Sequence, residues 1–106
     1  MDIQGIHHAA YRCINAKQTV TFYQQMLGMD FQLAIAEDKV PSTGAPDPYM
    51  HVFMDAGNGN VLAFFEVPHS PQMGSDPNTP KWVQHIAFKV ADMDALLLAK
   101  EHLETA

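Results

Sequence analysis

Apolar and polar residues alternate over "GIHHAAYRC", residues 5–13, a period of two that sends successive side chains to opposite faces of a strand. The period then lengthens. After Asn15, a residue suited to a helix N-cap, "AKQTVTFYQQMLG" carries Val20, Tyr23 or Phe22, Met26 and Leu27 at helical spacing and closes on Gly28, a residue suited to a C-terminal stop. Alternation returns in "MDFQLAIAED", which predicts a second strand. "KVPSTGAPDPY" holds three prolines and a glycine and reads as a loop. "YMHVFMDAGNGNVLAFFEVP" reads as a hairpin, two β-rich arms about Gly57-Asn58-Gly59-Asn60. The proline-rich "PHSPQMGSDPNTPK" predicts a long irregular connection, and "WVQHIAFKV" predicts another strand. Asp92 is placed to cap a last helix, "MDALLLAKEHLETA", with Leu96, Leu97, Ala99 and Leu103 as its apolar side.

The predicted order is β-α-β-β-β, a proline-rich loop, then β-α, an α+β arrangement. With 106 residues the chain is long enough for one domain. It divides into residues 1–80, a first unit with its connecting loop, and residues 81–106, the β-α start of a second.

Charge removes one class of partner. Six Lys and Arg stand against twelve Asp and Glu, a formal charge of −6, which argues against nucleic acid, since phosphate contacts need a basic surplus. No apolar run approaches the roughly 20 residues of a membrane span. Cys13 is the only cysteine, so no disulfide framework forms within the chain, and a reducing cytoplasm is the simplest setting. The N-terminus lacks the basic and apolar regions of a secretory signal.

The six histidines carry the chemistry. "IHHAAYRCIN" aligns without a gap on "VQHIAFKVAD": His8 meets His85, Ala10 meets Ala87, Tyr11 meets Phe88, Arg12 meets Lys89 and Asn15 meets Asp92. A helix follows each copy, so the chain carries an internal β-α duplication. The duplication distinguishes the adjacent histidines, because His7 faces only Gln84. Alternation agrees. Ile86, Phe88 and Val90 form the face that packs under a helix, which leaves His85 and Ala87 on the other, and by the same parity His8 and Ala10 lie opposite Ala9, Tyr11 and Cys13. Two imidazoles converging in this way suit a divalent metal.

"GIHHAAYRCINAKQTVTFYQQMLGMDF", "NGNVLAFFEVP" and "WVQHIAFKVADMDAL" together resemble the vicinal oxygen chelate superfamily, which includes glyoxalase I, extradiol ring-cleaving dioxygenases and the bleomycin resistance proteins. The resemblance implies paired βαβββ modules whose mixed sheets curl into a cup around a metal, with the second module incomplete here and the chain part of a longer protein. It also implies association into a homodimer and a small-molecule substrate that chelates the metal through two adjacent oxygens. His8 and His85 match the histidine positions of the two modules. For the carboxylate of the first module, ending the strand at the ligand selects Glu66. Aligning the family's Glu-apolar-apolar-Glu-Pro run selects Ala63 instead. With Glu66 as a ligand the site has two His and two carboxylates, as in glyoxalases and epimerases, and takes Zn, Ni, Co or Mn. With Ala63 there, three ligands remain, the two-His-one-carboxylate set of Fe(II) dioxygenases. The ungapped match of "AFFEVP" favours the second. Metal-free drug binding in the same cup is the alternative, against which both histidines count.

Other residues carry less weight. His51, alone on its strand, is read as structural even though its strand could turn it into the cup. Tyr49, Phe53 and Trp82 are core aromatics with substrate contact as a second role. Arg12 and Lys89 share the metal-face parity and could steer an anionic substrate. Cys13 is read as buried and inert.

Overall fold

A computed structural model covering residues 1–106 places six elements along the chain: β1 (His8–Cys13), α1 (Ala16–Leu27), β2 (Asp30–Lys39), β3 (Pro46–Asp55), β4 (Val61–Glu66) and α2 (Met93–Thr105). The chain divides into two compact units, Met1–Ser70 and Pro71–Ala106. The fold is α+β.

In the first unit the strands form one mixed sheet in the order β1-β4-β3-β2. β1 runs parallel to β4, and the other two pairs are antiparallel. α1 links β1 to β2 and forms where the sequence places it. The Asn15 side chain accepts a hydrogen bond from the Gln18 N–H at 2.8 Å, supplying a partner to a free donor of the first turn. Gly28 ends the helix in the left-handed conformation, φ 65°, a backbone that glycine adopts without a Cβ clash. The inward stripe of α1 is Ala16, Val20 and Tyr23, while Phe22 is half exposed. This stripe packs on Cys13, Val52, Leu62, Phe64 and Met50. The sheet therefore buries one face under its helix, and Met54 on the same face has no exposed surface.

The turn between β3 and β4 confirms the hairpin. Gly57, Asn58 and Gly59 all have positive φ, and the Ala56 N–H donates to the Asn60 carbonyl at 2.9 Å.

Two expectations change. The proline-rich loop after β2 is shorter than predicted, because β3 begins at Pro46 and includes Pro48. β4 pairs with β3 only over Met50–Asp55, so the start of β3 has β2 on one side alone. A proline there costs no ladder bond on its open side. The second change concerns "WVQHIAFKV": no strand lies between β4 and α2, and residues 81–90 are exposed throughout. Alternation supplies a face for a strand but no partner for its N–H and C=O groups, and without a neighbouring strand the ladder does not form.

In the second unit α2 starts as predicted. The Asp92 carboxylate accepts from the Ala95 N–H at 2.9 Å. Lys100 and Glu104 pair across one turn at 2.8 Å. No residue of α2 is buried, and Leu96, Leu97 and Leu103 are exposed.

Candidate functional site

The strand register assigns every side chain of the sheet to a face. His8 pairs with Val61, Ala10 with Ala63 and Arg12 with Phe65. Across β4, Ala63 pairs with Phe53 and Phe65 with His51. Paired residues in a ladder project to the same side. One face thus holds His8, Ala10, Ala63, Phe53, His51 and Phe65, and the opposite face packs under α1. β1 has the expected parity: Cys13 is buried in the helix-side core, and the His8 ring lies 5.8 Å from Phe53 and 6.3 Å from His51, centroid to centroid.

His7 precedes the strand but is not idle. Its Nδ1 lies 2.9 Å from Nδ1 of His8. That contact engages one nitrogen of His8 and leaves Nε2 as the one available to a cation. The hydrogen bond at one ring nitrogen sets which nitrogen can ligate.

His51, read from the sequence as structural though able to face the cup, lies on the same face as His8. It stacks on Phe65, with centroids 3.6 Å apart and planes 16° from parallel, and lies 4.1 Å from Phe53. Its Nε2 is the one buried side-chain nitrogen or oxygen with no hydrogen-bond partner. Burial lowers its pKa from the ordinary histidine value of 6.5, and the neighbouring His8 pushes the same way, so the neutral ring is favoured. Its place beside His8 follows from the β3–β4 register, which pairs residues far apart in the chain.

Glu66 falls on the other face. Its Oε1 accepts a hydrogen bond from the Ala16 N–H at 2.6 Å, at the first turn of α1, where unpaired N–H groups and the helix dipole favour an anion. The expectation that Glu66 joins His8 is therefore not met in this arrangement, because strand parity turns its side chain toward α1. Ala63, the alternative position, lies on the His8 face with no exposed surface. His85 belongs to the second unit, where its Nδ1 lies 3.1 Å from the Val83 carbonyl and its ring is exposed.

The donor chemistry of this face suits a divalent cation: an available His8 Nε2 beside a second, unpartnered imidazole nitrogen. It is not a complete ligand set. Within residues 1–70 no three His, Cys, Asp or Glu side chains form a metal-binding group, so a cation held at His8 would need ligands from outside the sheet.

A helix-backed mixed sheet of this order is one βαβββ module of an α+β protein. Residues 5–106 match the model of the Glyoxalase/Bleomycin resistance protein/Dioxygenase superfamily, and the chain belongs to that superfamily. It is 27% identical over 107 residues to a protein of Bacillus subtilis (strain 168) named "Putative ring-cleaving dioxygenase MhqA". That alignment takes in 98% of this chain but only 31% of the relative, so the chain spans about a third of that protein's length. Among solved structures, the glyoxalase family protein from Enterococcus faecalis superposes with a TM-score of 0.63 at 22% identity, over 98% of this chain and 75% of that one; this likeness is one of fold. No helix is long and apolar enough to cross a membrane.

Proposed function

We propose that this chain contributes to a metal-dependent enzyme of the ring-cleaving dioxygenase type, acting on a small substrate that presents two adjacent oxygens. His8 and His85 would hold the cation together with a carboxylate other than Glu66, and Fe(II) suits that set of donors. The bound cation supplies Lewis acidity to the two substrate oxygens.

The observation that carries this reading is the division of labour in β4. Glu66 is engaged by the N-terminus of α1, while Ala63, on the His8 face, has no donor atom. Removing the first-module carboxylate leaves a three-ligand set, whereas the glyoxalase-like reading with Zn, Ni, Co or Mn needs the fourth. The relative named as a ring-cleaving dioxygenase supports the same choice.

The chain's own residues have definite tasks in this reading. His7 holds the His8 ring through Nδ1 and so presents Nε2. Phe53 and Phe65 form an apolar wall beside it and keep water from the substrate ring.

The test is anaerobic titration with Fe(II), followed by oxygen uptake with a catechol. Wild type is expected to bind one equivalent, and His8→Ala and His85→Ala are each expected to lose at least about tenfold in affinity. Metal binding unchanged in both variants defeats the ligand assignment. A protein that binds no metal, aerobically or anaerobically, but still binds small aromatic compounds is a binder rather than an enzyme.

A further inference from the structure

We propose that His51 is a substrate-positioning residue, its Nε2 forming a hydrogen bond to one oxygen of a flat, oxygen-bearing substrate seated beside His8. This inference rests on the dioxygenase-type reading above and assigns a role to a residue that reading does not use.

The starting point is an unmet bond. A buried polar atom without a partner costs the folded protein its desolvation penalty. The molecule carries one such side-chain atom, His51 Nε2, and it lies on the one sheet face that holds His8. A phenylalanine at this position would stack on Phe65 equally well and would leave nothing unsatisfied. The imidazole therefore contributes nothing to packing that a plain ring would not.

Geometry supplies the rest. The rings of His51 and His8 are 6.3 Å apart, so one small molecule can touch both. Ala63, paired with Phe53, carries no polar atom and is wholly covered, so the rings on this face, not the alanine, would meet the molecule. Phe53 and Phe65 flank His51 and offer planar apolar contact to an aromatic ring, whose oxygens would otherwise be buried without partners. His51 is half-buried as a residue, and the χ2 torsion of histidine is broad and soft, so its ring can reorient as a substrate binds. A neutral imidazole has one N–H and one lone pair and can serve either a phenol or a phenolate oxygen.

The experiment uses Co(II)-loaded protein and the chromophoric catechol 4-nitrocatechol, with binding followed by difference absorbance under anaerobic conditions. His51→Phe and His51→Leu both remove the nitrogen, one keeping a ring and one keeping only apolar bulk; circular dichroism verifies that each is folded. The expected result is about tenfold weaker 4-nitrocatechol binding in both, the loss of about one hydrogen bond, with Co(II) affinity unchanged. His51→Gln, which restores a donor and an acceptor, recovers part of the loss. The proposal is overturned if a folded variant lacking the nitrogen binds the probe as tightly as wild type. It is also overturned if these variants lose Co(II), which would make His51 a ligand instead. Wild type that binds Co(II) but not 4-nitrocatechol overturns this inference alone; wild type that binds no Co(II) overturns the metal-dependent reading with it.

Discussion

Glu66 shows how one residue can fit two sites on paper and serve one in space. A carboxylate at the end of a strand is a plausible metal ligand, and the same carboxylate is a good acceptor for a helix N-terminus. The bond from the Ala16 N–H places it in the second role. Glu66→Ala is therefore expected to lower the unfolding free energy by about 1 kcal/mol, the usual worth of a helix-cap acceptor, and to leave metal affinity untouched. Urea denaturation and metal titration on the same variant read the two roles separately; a loss of metal with unchanged stability reverses the assignment. His51 adds a pH dependence. Its pKa is lower in the folded protein than the ordinary 6.5, so between those two values the unfolded chain binds more protons. Stability therefore rises with pH through that window and is lost as the pH falls below 6.5. His51→Phe is expected to flatten this part of the profile, measured as urea midpoints at about pH 7.5 and about pH 5.

At the scale of elements, α1 was readable because its signals are local. Asn15 caps it, Gly28 stops it, and the stripe of Val20 and Tyr23 sets its inward face, all within 14 positions of sequence. Gly28→Ala is expected to cost about 1 kcal/mol, since φ 65° forces an alanine Cβ toward the carbonyl. Equal urea midpoints for the two proteins would rule out that account. Strands were less readable, because a strand needs a partner that sequence does not specify. β3 extends over Pro46 and Pro48 because that stretch has β2 on one side only. "WVQHIAFKV" has the alternation of β1, yet residues 81–90 form no strand. The duplication is visible in residue types, and the two copies have different local structures.

For the whole molecule, the exposed apolar surface is the dominant feature. Leu96, Leu97 and Leu103 are 50%, 55% and 42% exposed on α2, and in the first unit Leu33 and Ile35 are 46% and 40% exposed on β2. Surfaces of this kind mark contact with another body. We expect the protein to self-associate, in keeping with the homodimer proposed from the resemblance, and Leu97→Glu to weaken that association. Sedimentation velocity over a dilution series checks this, and a monomer at every concentration would falsify it.

The sequence by itself determined the α+β class, the order of the first five elements, the caps of both helices and the sheet face on which His8 lies, because caps and periodicity act between near neighbours. Only the tertiary structure decided that Glu66 serves α1, that Ala63 faces His8 and that His51 stands beside them. Those outcomes depend on strand register, which pairs residues far apart in the chain, and a shift of one residue would turn every side chain of β4 to the opposite face.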